Sequence, residues 1–249
     1  MNSLLAAMRF LTIAPIPGAW GTAEEDLARS VPWFPIVGLL LGALAAAAAW
    51  GLSLTVPPMV TATVLIVLLL GFPGCLHMDG LADTADGFLS SRSRERILEI
   101  MKDSHTGAMG VIAIVCTLLL KFASLASLPA AALWPAVLLM PLAGRCSMVV
   151  HMALLPYARP DGLGAIFYRR QPRATAIWAA GVLAAAAWAV LGWHGLIAWA
   201  ACIVVTLALS AYAYRKIGGA TGDTCGAVCE LVEVVPALTL TLAALGGAR

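Results

Sequence analysis

Val60-Thr61-Ala62-Thr63-Val64-Leu65-Ile66-Val67-Leu68-Leu69-Leu70-Gly71-Phe72-Pro73-Gly74-Cys75-Leu76-His77-Met78-Asp79 carries no Asp, Glu, Lys or Arg until its last residue. An apolar run of this length reaches across the hydrocarbon core of a bilayer, which takes about 20 residues of helix. The rest of the chain reads the same way. Of its 249 residues 61% are hydrophobic and 11% charged, with a mean hydropathy of +0.93. A soluble domain is about 45–50% apolar and about 25% charged, and a globule of this length could not cover so much apolar surface. A soluble enzyme, a disordered chain and a nucleic-acid-binding domain are excluded together.

Seven stretches have the length and composition of spans: 31–52, 56–76, 108–128, 130–154, 174–191, 195–214 and 231–245. The last is the weakest, being short with Glu233 in its first turn. Residues 1–15 are too short to span with Arg9 inside them, and read as an interfacial helix stopped by Pro15 and Pro17. They lack the basic start of a cleaved signal peptide. The fold expected is an all-α polytopic bundle of about seven spans plus that helix, with residues 1–249 forming one integral membrane domain. The six Cys read as small buried hydrophobes and not as a disulfide set.

Charge sets the orientation. Numbering the connections alternately, one side receives Arg9, Arg29, Arg92, Arg94, Arg96, Lys102, Arg159, Arg169, Arg170, Arg173, Arg215 and Lys216, which is 12 of the 15 basic residues. Connections 53–55, 127–129 and 192–195 carry none. The positive-inside rule makes the basic side cytoplasmic. All 13 acidic residues fall on that side or at span ends facing it. Polar chemistry gathered at one face suits an enzyme better than a transporter, which needs polar groups along a path through the bilayer. Only Lys121 and Arg145 lie deep, and they should face the protein interior. The net charge of +2 gives no field for a polyanion, so any phosphate is held locally.

Asp79, which ends the quoted run, is followed by Asp83 and Asp86 at i+4 and i+7, which puts all three on one helical face. Carboxylates crowded at a membrane boundary repel one another and lose hydration unless a cation neutralises them. An oxygen-only set suits a hard ion, and Mg²⁺ keeps several waters while bridging one or two carboxylates to phosphates. The competing reading is a solvated acidic helix end. His77 is either a base or a satisfied interfacial histidine. Arg92, Arg94, Arg96 and Lys102 belong to an amphipathic segment that is either a plain interfacial helix or a set of phosphate clamps. The stretch Gly218-Gly219-Ala220-Thr221-Gly222-Asp223-Thr224-Cys225-Gly226 offers flexible backbone N–H groups for phosphate. It lacks the Lys of a P-loop. Glu230 and Glu233, entering an apolar helix, read as metal or ligand groups, against a capping and helix-dipole role.

Three segments carry a resemblance: His77-Met78-Asp79-Gly80-Leu81-Ala82-Asp83-Thr84-Ala85-Asp86-Gly87, Leu98-Glu99-Ile100-Met101-Lys102-Asp103-Ser104, and Thr221-Gly222-Asp223-Thr224 with Gly226-Ala227 and Glu230. With Phe10-Leu11-Thr12, Pro15-Ile16-Pro17, Ala158-Arg159 and Gly162-Leu163-Gly164, they resemble the cobalamin synthase family of adenosylcobinamide-GDP ribazoletransferases over nearly the whole chain. The resemblance implies a Mg²⁺-dependent transferase of the cytoplasmic (inner) membrane of a prokaryote. It would join α-ribazole, or its 5′-phosphate, to adenosylcobinamide-GDP with loss of GMP. It implies Asp79, Asp83, Asp86 and His77 as catalytic groups, and Asp79, Asp83, Asp86, Asp223 and Glu230 as metal ligands. Substrate contacts would come from Arg92, Lys102, Asp103, Arg145, Arg159, Thr221, Gly222 and Thr224. Membrane lipid is the expected surrounding, nucleic acid is not a partner, and a homo-oligomer is left open. Two alternatives stand beside it. The CDP-alcohol phosphotransferases match at Asp83, Asp86 and Gly87, but Ser90 and Ser91 replace Ala and Arg, and no Asp follows Gly107 and Gly110 until Asp161. A small transporter would place its site between Lys121, Arg145 and the carboxylates.

Overall fold

The computed structural model describes residues 2–160, 162, 164–169 and 173–246. Of the residues invoked above, Asp161, Leu163 and Arg170 lie outside these. The chain is helical, with no strand among the described residues. It runs α1 (Asn2–Leu11), α2 (Glu24–Ala28), a 3-10 turn (Val31–Trp33) leading into α3 (Phe34–Ser53), α4 (Pro58–Gly71), α5 (Leu76–Phe88), α6 (Arg94–Ile100) and α7 (Ala108–Ser127). Then come α8 (Ala130–Leu154), α9 (Gly164–Tyr168), α10 (Arg173–Leu191), α11 (Trp193–Ile217) and α12 (Gly222–Gly246). Six helices are long and apolar enough to cross a membrane: the turn plus α3, α7, α8, α10, α11 and α12. The bent pair α4–α5 brings the number to seven, the count expected from the sequence.

Burial sorts these helices into a centre and a ring. α8 is buried along almost its whole length, and packs against α3, α10, α11 and α12. Its inner residues Leu139, Leu142, Cys146 and Val149 meet Val37 and Leu41 of α3 and Cys229 and Val232 of α12 in one core. α3, α7, α10 and α11 turn Leu44, Leu119, Trp188 and Val204 outward. Large side chains exposed all round are the expected surface where lipid, not water, is the solvent. All six cysteines are free thiols, four of them buried.

Two spans differ from the hydropathy reading. The run 56–76 is not one helix. α4 ends at Gly71 and α5 leaves at 86° to it, because Gly74 (φ +62°) and Cys75 (φ +60°) adopt left-handed backbone after Pro73. α4 therefore enters the membrane, and α5 turns to lie across the starts of α7 and α12 at the basic end of the bundle. The last span begins at Gly222 and not at 231. What read as a flexible phosphate loop is, from Gly222 onward, the first turn of α12, while Gly218 ends α11 and Ala220 bridges to the segment after α8. Hydropathy hid this start because Asp223, Glu230 and Glu233 dilute the apolar run.

Candidate functional site

From His77 to Phe88 every residue of α5 is buried except Asp79, Asp83 and Asp86. The one-face spacing predicted from the sequence is thus realised, with that face the only open side of an embedded helix. Gly80 sets how closely α5 approaches α12. A Cβ there would lie 2.8 Å from the Asp223 carbonyl oxygen and 3.0 Å from its Cα. This contact of backbones brings Asp79 and Asp83 beside Asp223.

A second device fixes Asp223 and Arg159. The Ala158 N–H donates to the Ala220 carbonyl (2.8 Å), and the Ala220 N–H donates to the Pro156 carbonyl (2.9 Å). This short bridge holds the segment after α8 against the start of α12, so that Arg159 Nη2 donates to Asp223 Oδ2 at 2.7 Å. Arg94, one of the candidate clamps, acts as a strut. Its Nε donates to the Ile217 carbonyl (2.8 Å) and its Nη2 to the Ala158 carbonyl (3.0 Å).

The charges of Asp79, Asp223 and Asp86 all bear on the Asp83 carboxyl, and Arg159 is the cation that opposes them. Three carboxylates therefore share a small space with one guanidinium. That is the surplus of negative charge that a divalent cation removes. Among the described residues no three such groups already meet at bonding distance. Mg²⁺, which retains waters and takes one or two protein carboxylates, asks for no tighter cage. Asp79, Asp83 and Asp223 are the carboxylates that could hold such an ion.

Beside these carboxylates opens a cavity of about 230 Å³, lined on its polar side by His77, Asp79, Arg159, Gly222 and Asp223. Its apolar wall is aromatic. Phe10 of α1, Phe34 of α3 and Phe167 of α9 form one cluster with ring centroids 4.7 to 6.1 Å apart. Tyr157 and Tyr168 lie 5.1 Å apart alongside. Of these five aromatic residues the sequence reading names only Phe10, within Phe10-Leu11-Thr12, because they come from distant segments and no spacing links them.

Several residues assigned to the site do other work. Asp86 caps α7: the Gly107 N–H donates to its Oδ2 (2.7 Å) and the Gly110 N–H to its Oδ1 (2.9 Å). Both oxygens are occupied by a helix start, so Asp86 is removed from the metal set. Glu230 is removed as well, being fully buried and taken by Lys121 Nζ at 2.6 Å. Lys121 also holds Glu233 Oε2 at 2.7 Å, and Arg145 Nη1 holds the other oxygen of Glu233. The deep charges thus face the interior and close into a network of two cations and two anions. Arg145 meets this network and His77, and does not line the cavity. Thr221 and Thr224 form a reciprocal cap: the Thr224 N–H donates to Thr221 Oγ1 (3.2 Å) and the Thr221 N–H to Thr224 Oγ1 (2.8 Å). Both are buried, and they hold the start of α12 in place. His151, which the sequence reading passed over, joins this buried chain through Thr224 Oγ1 (3.1 Å) and Ser210 Oγ (2.8 Å). Arg92 and Lys102 are exposed at the same end of the bundle. Asp103 is exposed and paired with His105, whose ring and backbone N–H hold its carboxyl below the usual range.

Fold and site define a polytopic membrane enzyme whose acidic groups converge at one end of the bundle. The chain belongs to the cobalamin-5-phosphate synthase family, which it matches over residues 3–241. The adenosylcobinamide-GDP ribazoletransferase of Geotalea daltonii is 40% identical over 241 residues, covering 97% of this chain and 96% of its own. That of Roseiflexus sp. is 44% identical over 238 residues, covering 96% and 88%. That of Pseudomonas aeruginosa is 39% identical over 250 residues, covering 97% and 98%. No solved structure matches the chain.

Proposed function

We propose that this protein joins α-ribazole, or its 5′-phosphate, to adenosylcobinamide-GDP at the cytoplasmic face of a prokaryotic inner membrane, with Mg²⁺ as cofactor. The observation that carries this reading is the convergence of Asp79, Asp83 and Asp223 with Arg159 beside an aromatic-walled cavity. A ribose hydroxyl attacks the phosphorus linked to cobinamide. One P–O bond forms, the bridging P–O bond of the pyrophosphate breaks, and GMP departs. The hydroxyl proton passes to a carboxylate of the cluster. When bound, Mg²⁺ supplies charge to the phosphates and to the leaving oxygen.

The chain's own part is positioning. Asp79, Asp83 and Asp223 would hold the cation. Arg159, fixed by the Pro156–Ala220 bridge, faces the developing charge. The basic residues at this end of the bundle draw the anionic substrate to the membrane surface. Such displacement needs no covalent nucleophile. The test is incubation of purified protein with adenosylcobinamide-GDP, α-ribazole and Mg²⁺, followed by chromatography. A cobalamin product with equimolar GMP is expected, and its absence overturns the reading. The CDP-alcohol reading needs further acidic residues after Gly110, and the described face of α7 provides none.

A further inference from the structure

Resting on the activity proposed above, we infer that the aromatic cavity is the seat of the ribazole base, and that His77 Nε2–H recognises the acceptor nitrogen of its ring. Four buried side-chain polar atoms have no hydrogen-bond partner among the described residues, and two of them, His77 Nε2 and Arg159 Nε, belong to residues lining this one cavity. Buried donors left unmatched in a protein are uncommon and ask for a ligand. The His77 proton can be placed. Its Nδ1 lies 3.5 Å from Arg145 Nη2, and a guanidinium can only donate. Nδ1 is therefore the acceptor, and the proton of the neutral ring sits on Nε2. Arg145 is itself held by Glu233, so it acts as a positioning residue that fixes the tautomer.

The size and walls of the cavity choose between the ring systems that the two substrates bring. About 230 Å³ is below the roughly 300–1,000 Å³ of pockets for drug-sized ligands. It matches a planar bicycle with part of its sugar and is too small to enclose a corrin. Guanine would bury several donors and acceptors along its edge against Phe10, Phe34, Met148, Met152 and Phe167, with little to satisfy them. A dimethylbenzimidazole riboside has apolar edges and one free ring nitrogen, an acceptor. Flat apolar rings suit the Phe10–Phe34–Phe167 wall, and one N–H donor matches one acceptor. With the base seated there, its ribose lies toward Asp79, Asp223 and Arg159 on the polar side of the same cavity.

The experiment measures binding of α-ribazole to purified wild-type protein by calorimetry, without corrinoid or Mg²⁺. It is repeated with the analogue in which the acceptor nitrogen is replaced by C–H. The wild type should prefer α-ribazole by about tenfold, the worth of one buried hydrogen bond. His77→Leu should erase that preference. His77→Gln, whose side-chain amide can present an N–H near the place of Nε2, should keep it, which guards against loss through misfolding. Phe167→Ala should weaken both ligands alike. Equal affinity of the wild type for both compounds, displacement of α-ribazole by GMP, or an unchanged affinity in Phe167→Ala would each overturn the inference. Wild-type turnover is assayed separately. Product formed without base discrimination refutes the seat of the base alone, and absence of product refutes the proposed activity.

Discussion

Replacing Glu233 by Gln tests the buried charge network most directly. Glu233 and its partners Lys121 and Arg145 have side chains only 1% exposed, so water cannot take over the charges left behind. The substitution leaves two cations facing Glu230 alone. Breaking a buried pair from one side costs about 3–5 kcal/mol, chiefly through the uncompensated charge. For a chain of this size each kcal/mol moves the midpoint by about 2–4 °C, so a fall of roughly 6–20 °C is expected. The assay is thermal unfolding of the detergent-solubilised protein, followed by intrinsic fluorescence of its Trp residues. A control separates charge balance from packing. In Lys121→Met/Glu233→Gln one cation and one anion are gone together, and Arg145 and Glu230 remain as a balanced pair. That double variant should regain much of the loss. A single variant as stable as the wild type, or a double variant showing the sum of both single losses, would refute the reasoning.

Four other outcomes are expected. Asp79→Asn and Asp83→Asn should each lower turnover by orders of magnitude while the protein still folds, and raised Mg²⁺ should partly rescue the milder one; normal turnover in both would remove the metal reading. Asp86→Ala should cost about 0.5–2 kcal/mol as a lost helix cap, with a lower midpoint and a smaller effect on turnover than either of those, measured in the same preparations. Gly80→Ala drives a methyl into the Asp223 backbone, so turnover should drop at least tenfold at saturating Mg²⁺ with the helical circular dichroism unchanged. Cysteine reporters placed at His194 and at His105 should label from opposite sides of a sealed vesicle, and labelling from one side would break the seven-span topology.

Hydropathy and spacing made much of this legible. The spans at α3, α7, α8, α10 and α11 are each within a few residues of their sequence bounds, because a bilayer demands length and apolarity and little else. The shared face of Asp79, Asp83 and Asp86 followed from helical period alone. What stayed hidden depends on contacts between distant residues. A sliding sum of hydrophobicity cannot see the turn at Gly74 and Cys75, since both residues are compatible with an apolar run. Glu230 and Glu233 looked like ligands because their neutralising partners, Lys121 and Arg145, come from other helices. Asp86 resembles its two neighbours in every local respect. Only the approach of Gly107 and Gly110 turns it into a cap. The aromatic wall joins α1, α3 and α9, and no motif records that meeting.

The pairing of Lys121 with Glu230 spans 109 positions of chain, and this has a consequence for biogenesis. At a synthesis rate of about 5–20 residues per second, α7 enters the bilayer roughly 5–20 s before its counter-ion exists. A lone lysine within a span costs up to about 2.5–3.5 kcal/mol on insertion scales, and during that interval α7 carries this cost uncompensated. Its capture comes with α12, the same helix that brings Asp223 to α5. Neutralisation of that charge and assembly of the carboxylate cluster are therefore one event, and a nascent chain stalled before α12 would carry neither.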